Sequence, residues 1–427
     1  MRVSRLFGKT LRDDPAEAEL VSHKLMLKAG MIYQAAAGIY GYMPLAWRSL
    51  RKIEQIIREE MDAAGGQEIH LPVLQPRDLW QMSGRDKMMG PELFRVTDRR
   101  DREMVLAPTH EELLTNMVKA NVNSYRDLPM RIAEYGTVYR NELSGTLAGL
   151  LRVRMLSMND AHIYCTLEQV AQEFADNIRM VQDYYAAFGF ENYHFQLSLW
   201  DPEAPDKYID QPENWAATEN HLRQILDGLG VPYVETVGEA AFYGPKVDIQ
   251  FTTLLGREES MSTIQLDFAA KERFSLTYKD ETGAENGEVF VIHRAPLSTH
   301  ERFVAFLTEH WAGNFPTWLS PVQVQVITIS EKHKQHAARV AEALKQAGVR
   351  VRVDDSDSTI GRKIRLHRTL RPAYMVVIGD EESKNGTVAI RERGGGQRNG
   401  VALDEFVADI FAEITNRSTE LGIVPPE

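Results

Sequence analysis

Apolar and polar positions in the first part of the chain predict a long amphipathic helix followed by a strand. Between residues 45 and 64, apolar side chains recur at helical spacing. These side chains are Leu50, Ile53, Ile56, Ile57 and Met61. Gly65 and Gly66 are expected to end the helix, and residues 68–73 predict a strand that leads to Pro72.

Further apolar runs predict a sheet with helices between its strands. The predicted strands are 131–139, 151–158, 195–199, 247–251, 260–268 and 289–294, and the predicted helices are 167–188 and 214–229. Elements in this mixed order suit an antiparallel sheet flanked by helices, which is an α+β fold. Neither GxGxxG nor GxxxxGK[ST] occurs, so a phosphate loop at a helix tip is excluded as the nucleotide site.

The segment 315–321, with two prolines, predicts a domain boundary, and we expect domains at 1–318 and 319–427. After it, the pattern alternates between strands and helices. The predicted order is strand 322–329, helix 331–347, strand 349–353, helix 360–371 and strand 374–378. Such a βαβαβ run predicts a separate C-terminal α/β domain.

Charge restricts the partners that the chain can bind. The formal net charge is -12, which argues against indiscriminate binding of nucleic acid. The segment 362–371 differs, because it carries five Lys or Arg residues and no acid. Clustered cations release counterions from nucleic-acid phosphates, so this predicted helix is a candidate for tracking a phosphate backbone. A solvated helix face would have the same composition.

Cysteine and hydropathy point to a cytoplasmic enzyme. Cys165 is the single cysteine, which excludes an internal disulfide and a zinc cage made of cysteines only. No run of eighteen apolar residues occurs, so no membrane span is expected. Arg2, Arg5 and Lys9 give a charged N-terminus, but no apolar segment follows, so we expect no signal peptide.

Two short segments carry the candidate chemistry. Tyr139-Arg140-Asn141-Glu142 places an arginine and a glutamate two residues apart, on the same face of an extended strand. The second segment, Thr299-His300-Glu301-Arg302-Phe303, supplies another arginine far downstream. Arginine holds carboxylates and phosphates with a planar fork of donors and stacks on flat rings. The pair therefore suits a bound nucleotide and an activated carboxylate.

In this order the two segments resemble motifs 2 and 3 of the class II aminoacyl-tRNA synthetases. The predicted helix, strand and proline near residue 72 are similar to motif 1, which implies a homodimer. Residues 124–165, GEAAFYGPK (238–246), STIQLDF (262–268) and IHRA (292–295) resemble the threonyl-tRNA synthetase core. LPVLQPRDLWQMSGR (71–85) and APTHEE (107–112) resemble bacterial prolyl-tRNA synthetase instead.

The resemblance implies a reaction and a nucleotide site. An amino-acid carboxylate would attack the α-phosphate of ATP, with Mg²⁺ neutralising the pyrophosphate, and the product would be transferred to tRNA. Arg140 and Arg302 would be the catalytic arginines, bridging the reactants and contacting the nucleotide from opposite sides. The implied ATP-binding set is Arg140, Glu142, Arg152, Gln265 and Arg302.

The amino-acid site admits two hypotheses. Threonyl enzymes hold zinc with one cysteine and two histidines; here those positions are Glu111, His162 and His293. One carboxylate and two imidazoles still form a zinc triad with an open position. Prolyl enzymes use the residues that match Thr109 and Glu111 to hold the imino group without metal. The implied amino-acid-binding set is Thr109, Glu111, Met158, Asp160, Tyr243, Lys246 and Thr263.

Several positions depart from the threonyl pattern. Leu156 replaces an aromatic residue that stacks on adenine, Met158 replaces a glutamine as in prolyl enzymes, and Ser260 replaces another glutamine. The C-terminal domain is threonyl-like throughout, at Asp354-Asp355, 360–365 and 377–380. The resemblance implies that 1–318 is the catalytic domain and that 319–427 is an anticodon-binding domain. We therefore expect a threonine-activating enzyme that charges threonine tRNA and lacks an editing domain. A prolyl enzyme and a paralogue that binds nucleotide or a partner without charging tRNA stay open as alternatives.

Overall fold

The computed structural model describes residues 6–11, 13–15, 18–252, 256, 258–285 and 287–424. Arg2 and Arg5, on which the expectation of no signal peptide partly rests, lie outside these residues. The chain forms two compact units. One comprises Met1–Ala36, Tyr40–Ile53 and Ala305–Glu427, and the other comprises Ala37–Ile39 and Glu54–Val304. The division at residue 318 stays a prediction.

The strands are numbered in chain order. They are β1 (Ile32–Ala36), β2 (Ile39–Tyr42), β3 (Gln67–Ile69), β4 (Leu74–Pro76), β5 (Phe94–Thr97), β6 (Glu103–Leu106), β7 (Met130–Tyr139), β8 (Met155–Cys165), β9 (Tyr193–Leu199), β10 (Tyr233–Val237), β11 (Lys246–Thr252), β12 (Glu258–Asp267), β13 (Thr277–Tyr278), β14 (Gly287–Glu288), β15 (Phe290–Ala295), β16 (Val324–Thr328), β17 (Val351–Asp354), β18 (Tyr374–Ile378), β19 (Thr387–Glu392) and β20 (Gln397–Ala402).

The α-helices are numbered in the same way. They are α1 (Val21–Lys28), α2 (Pro44–Ala63), α3 (Arg77–Met82), α4 (Arg85–Met88), α5 (Glu111–Asn121), α6 (Leu167–Phe188), α7 (Pro212–Leu229), α8 (Ala270–Phe274), α9 (His300–His310), α10 (Lys334–Gln346), α11 (Ile360–Arg368), α12 (Asp380–Asn385) and α13 (Leu403–Thr415). Within the described ranges, no helix is both long and apolar enough to cross a membrane.

An eight-stranded sheet organises the second unit, in the order β10-β9-β11-β12-β15-β8-β7-β3. The six strands from β9 to β7 pair antiparallel with one another, whereas in the described residues the edge strands β10 and β3 pair in parallel with β9 and β7. The predicted α+β class is confirmed. Local sequence explains the helix bounds: Gln169 accepts a hydrogen bond from the Thr166 backbone where α6 begins, and Gly189, at φ +70°, ends it.

The C-terminal part of the first unit contains a five-stranded sheet of order β17-β16-β18-β19-β20. The first three strands are parallel, as the predicted βαβαβ run requires, and the last two are antiparallel. A core of buried apolar side chains from α10, α13 and this sheet holds it together. The sequence patterns did not predict β19, β20 or α13.

Two predictions need correction. The strand predicted at 151–158 instead begins at Met155 and continues to Cys165, because residues 148–152 form a tight turn. In the basic segment, Lys363 is buried and its Nζ donates to the Thr328 carbonyl at 2.8 Å. That lysine therefore supports the domain core, whereas Arg362, Arg365 and Arg368 are exposed.

Candidate active site

Neighbouring strands of the eight-stranded sheet place the candidate residues on one face. Met158, Asp160 and His162 alternate along β8 and therefore point to the same side. His162 lies opposite His293 of β15, and His293 lies opposite Gln265 of β12. The two histidine rings are 4.8 Å apart in an edge-to-face arrangement.

A cavity of about 370 Å³ opens on this face. It gathers ten of the residues predicted from sequence. They are Thr109, Glu111, Arg140, Met158, Asp160, His162, Tyr243, Thr263, Gln265 and His293. The remaining predicted residues, Glu142, Arg152, Lys246 and Arg302, do not line it.

The carboxylate of Glu111 is held by two arginines. Glu111 is the first residue of α5, where the helix dipole favours a negative charge. It forms an ion pair with Arg85, and its Oε1 accepts a hydrogen bond from Arg273 Nη2 at 3.1 Å. All three side chains are at least nine-tenths buried. Glu111 is therefore fixed in position before any ligand binds.

Further acids and aromatic rings complete this cluster. Glu112 lies 3.1 Å from Arg85, and Asp267 lies 2.8 Å from Arg273 and 3.4 Å from His293 Nε2. The guanidinium of Arg273 lies 5.1 Å from the ring centres of both Phe242 and Tyr243. Three carboxyl groups face two guanidiniums in this cluster, so it can accommodate a positively charged ligand or a protonated histidine.

Electrostatics differ between the members of the cluster. Burial opposes ionisation of Glu111, but the cations Arg85, His293 and Arg273 outweigh it and lower its pKa. Burial raises the pKa of Glu112. The pKa of His162 is lowered by burial, whereas that of His293 is raised, because Glu111 and Asp267 outweigh burial.

Glu111, His162 and His293 could hold a metal ion. One ligand atom from each lies within 4.8 Å of the others, and all three side chains are buried. A carboxylate with two imidazoles is a common zinc donor set, and a carboxylate keeps lone pairs beyond those shared with arginine. The residues therefore fit a metal ion in type and spacing, although Arg85 and Arg273 compete for the same carboxylate.

Asp248 joins two of the residues that were predicted to bind the amino acid. Its buried carboxylate accepts a hydrogen bond from Thr263 Oγ1 at 2.8 Å and forms an ion pair with Lys246 Nζ at 2.7 Å. Lys246 is thus tied to the site, although it does not line the cavity. Tyr243 donates a hydrogen bond to Gln265 Oε1.

The predicted nucleotide residues lie in an interacting group beside this cavity. Arg152 Nη2 donates to Glu142 Oε2 at 2.8 Å, and Arg302 Nε donates to the Leu151 carbonyl at 3.2 Å. Burial lowers the pKa of Arg302, and Arg152 lowers it further. Arg140 donates to the Pro108 carbonyl at 3.3 Å and also interacts electrostatically with Glu142 and Arg302. Such a group of cations suits a polyphosphate.

Sequence patterns missed four residues of the cluster around Glu111. These are Arg85, Glu112, Asp267 and Arg273. Arg85 and Glu112 end the two segments that resemble prolyl enzymes, so that resemblance was the available signal. Nothing local marks Arg273, because its partner Glu111 lies 162 residues away along the chain.

Comparison with known proteins identifies the family. A family model described as tRNA synthetase class II core domain (G, H, P, S and T) matches residues 94–311, which is half of the chain. The chain belongs to the class II tRNA synthetases. A second model, anticodon binding domain, matches residues 323–413. The class II resemblance and the predicted C-terminal domain type are thereby confirmed.

Individual curated relatives of this class II chain are named as threonine--tRNA ligases. It is 42% identical to "Threonine--tRNA ligase" of Halalkalibacterium halodurans and to "Threonine--tRNA ligase 1" of Bacillus subtilis. Each match covers 88% of this chain and 58% of the relative. The chain thus spans less than two thirds of the length of these curated relatives.

Solved structures support the same fold. A crystal structure of the RNA binding domain of threonyl-tRNA synthetase from Cryptosporidium parvum matches with a TM-score of 0.85 and 32% identity, over 94% of this chain and 99% of that one. A Giardia lamblia prolyl-tRNA synthetase in complex with prolyl-adenylate matches with a TM-score of 0.73 over 93% of this chain and 79% of that one. At 16% identity, the latter shows the fold alone.

Proposed function

We propose that the chain activates threonine with ATP and transfers it to threonine tRNA. The observation that carries this proposal is the single cavity that joins Arg140 to His162, His293 and Asp160. Arg140, which we propose binds the carboxylate, lines this cavity together with groups that can recognise an amino group and a hydroxyl. The identity to threonine--tRNA ligases over 88% of the chain supports the same substrate.

The arginines supply the chemistry of adenylate formation. Arg140 would bridge the substrate carboxylate and the α-phosphate, Arg302 would contact the nucleotide from the other side, and Arg152 would reach the terminal phosphates. Gln265 would contact the α-phosphate or the ribose. Glu142 would accept the adenine amino group, sharing its carboxylate with Arg152. Mg²⁺ would neutralise the departing pyrophosphate.

Amino-acid recognition has two forms that predict opposite metal contents. In the first, Glu111, His162 and His293 hold zinc, which would orient the substrate amino and hydroxyl groups at its open position. In the second, Glu111 binds the substrate ammonium directly beside Thr109, and no metal is needed. The hold of Arg85 and Arg273 on Glu111 favours the second form. Elemental analysis of protein purified without chelator separates the two.

Pyrophosphate exchange with each proteinogenic amino acid tests the activity. We expect exchange with threonine, lost in Arg140→Ala and Arg302→Ala. Exchange with proline alone would establish the alternative that Thr109, Glu111 and Met158 support. Bound ATP without exchange for any amino acid would instead indicate a paralogue that does not charge tRNA.

Serine is the competitor that this pocket would reject least. It keeps the hydroxyl and lacks one methyl, which is worth only about 1–3 kcal/mol in a binding pocket. In the described residues between β8 and β15, the strands extend the eight-stranded sheet or form the β13-β14 pair, so no separate editing domain is inserted there. We infer that the enzyme would charge tRNA with serine more than with valine, which a tRNA charging assay measures. We also propose that it acts in the cytoplasm.

A further inference from the structure

A second cavity lies on the opposite face of the eight-stranded sheet. It has a volume of about 240 Å³ and is bounded by the end of α2, by α6 and by β7 and β8. Ala133 and Ala161, which pair across β7 and β8, form part of its floor. The small side chains of these two alanines leave the space above the strands open, so the sheet itself forms the cavity floor.

Arg294 brings an incompletely satisfied positive charge to this cavity. It follows His293 on β15 and also borders the candidate active-site cavity, while its guanidinium contacts Met180 and Tyr184 of α6. Its side chain is only 5% exposed, and its Nε has no hydrogen-bond partner among the described residues. Nη1 contacts the sulfur of Met180 at 2.6 Å, and a thioether is a weak acceptor.

In the part of the chain that the structure describes, no carboxylate forms an ion pair with Arg294, and burial lowers its pKa. Tyr184 hydrogen-bonds to the guanidinium and favours its charged form, and Asp160 does so as well. A buried cation without an ion pair is costly, and a bound anion would offset that cost. The geometry thus provides a buried fork of donors that fits a carboxylate.

A free acceptor and an acidic rim complement this cation. Asn177 lines the same cavity and is 2% exposed; its buried Oδ1 has no partner among the described residues, although its Nδ2 donates to the Glu173 carbonyl. Glu60 and Asp183 lie at the rim. Ile163 and the two alanines supply apolar lining. A zwitterionic amino acid needs hydrogen-bond donors for its carboxylate, acceptors for its ammonium group and apolar contacts for its side chain.

We propose that this cavity binds a small α-amino acid with an apolar side chain, its carboxylate on Arg294 and its ammonium near Asn177. The volume favours this size, because pockets for drug-sized ligands are larger, at about 300–1,000 Å³. The inference does not depend on which amino acid the catalytic face activates. Binding of the amino acid in this cavity would influence the catalytic face through β15, which carries both Arg294 and His293.

Calorimetric titration of the full chain with L-leucine tests the site. We expect one leucine per chain, bound equally by Arg140→Ala, which alters only the catalytic face. Arg294→Met should weaken binding about 10- to 100-fold, as expected for a lost charge-assisted hydrogen bond. Arg179→Met, which removes an exposed rim arginine, is the matched control. Isoamylamine, which lacks the carboxylate, should not bind.

Ala133→Leu fills the cavity from its floor and keeps Arg294, so it tests the site even if Arg294→Met fails to fold. It should abolish leucine binding. Two results would overturn the proposal: no binding of L-leucine at millimolar concentration, or binding that Ala133→Leu leaves intact and Arg140→Ala removes. The second result would place the ligand in the catalytic cavity.

Discussion

At the scale of single residues, Glu111 separates the two forms of amino-acid recognition that we propose. The sequence predicted Glu111 as a ligand but gave two incompatible roles for it. The structure adds the reason why its charge can be retained in a buried place, namely the two arginines that contact it. These contacts join distant segments, so no local pattern could have predicted them.

Arg85→Met should separate positioning of Glu111 from nucleotide binding. The change leaves Glu111 and Glu112 with one fewer buried counter-charge, which costs roughly 3–5 kcal/mol of stability. In protein that still folds, we expect the KM for the amino acid to rise at least about tenfold while the KM for ATP changes little. Pyrophosphate exchange measures both constants.

Arg95→Met is the control for Arg85→Met. Arg95 also pairs with an acid, Asp86, but its side chain is 39% exposed. An exposed pair contributes little, so this variant should resemble the parent protein. A folded Arg85→Met protein with an unchanged amino-acid KM would show that Arg85 does not position Glu111.

The burial of His300 predicts that the folded protein loses stability in mild acid. Burial lowers its pKa to about 4, whereas an exposed histidine titrates near about 6.5. Its Nδ1 lies 3.6 Å from Glu54, too far for a hydrogen bond that would favour the charged form. The unfolded chain therefore binds more protons between these values, and up to about 3 kcal/mol of stability is lost as pH falls from 6.5 towards 4.

Denaturant unfolding across that pH range measures this effect. The free energy of unfolding should depend less on pH in His300→Gln than in the parent protein. His70→Gln, which changes an exposed histidine, should keep the parental dependence. Equal pH dependence in His300→Gln and the parent would mean that other groups cause the acid sensitivity.

At the scale of elements, hydrophobic periodicity predicted most of the eight-stranded sheet and its helices. Helix α6 was predicted with both ends correct, because apolar spacing and its terminal glycine agree. The small β4-β6-β5 sheet was not predicted, because its strands are three or four residues long and partly exposed. Periodicity has too few positions to register in so short a strand.

Helix α11 allows a test of the basic segment. Arg368 is exposed, whereas Lys363 is buried and bonds to Thr328. If the helix tracks tRNA phosphates, Arg368→Gln should weaken tRNA binding and reduce the salt slope of log K by about one. Filter binding across a salt series measures this slope.

Lys363→Met should behave differently from Arg368→Gln. Loss of its buried hydrogen bond should lower the unfolding midpoint and leave the salt slope of tRNA binding unchanged. A salt slope that neither substitution changes would exclude α11 from the phosphate contacts. A reduced slope in Lys363→Met alone would contradict the assignment of that lysine to the core.

At the scale of the whole molecule, the remaining prediction is the homodimer implied by the resemblance of α2 and β3 to motif 1. Strand β3 lies at the edge of the eight-stranded sheet and, among the described residues, pairs on one side with β7. On α2, Trp47 is a large apolar side chain that is 46% exposed. An exposed tryptophan on the helix that resembles motif 1 is a candidate for the centre of the dimer contact.

We therefore expect light scattering to give twice the mass of one chain at micromolar concentration, because interfaces that hold permanent dimers are large and apolar. Trp47→Glu should shift the protein towards monomer, whereas Leu143→Glu, which changes an equally apolar but more exposed side chain in the motif 2 loop, should leave the dimer intact. A parent protein that is monomeric under these conditions would contradict the prediction, and a dimer unaffected by Trp47→Glu would move the interface away from this face of α2.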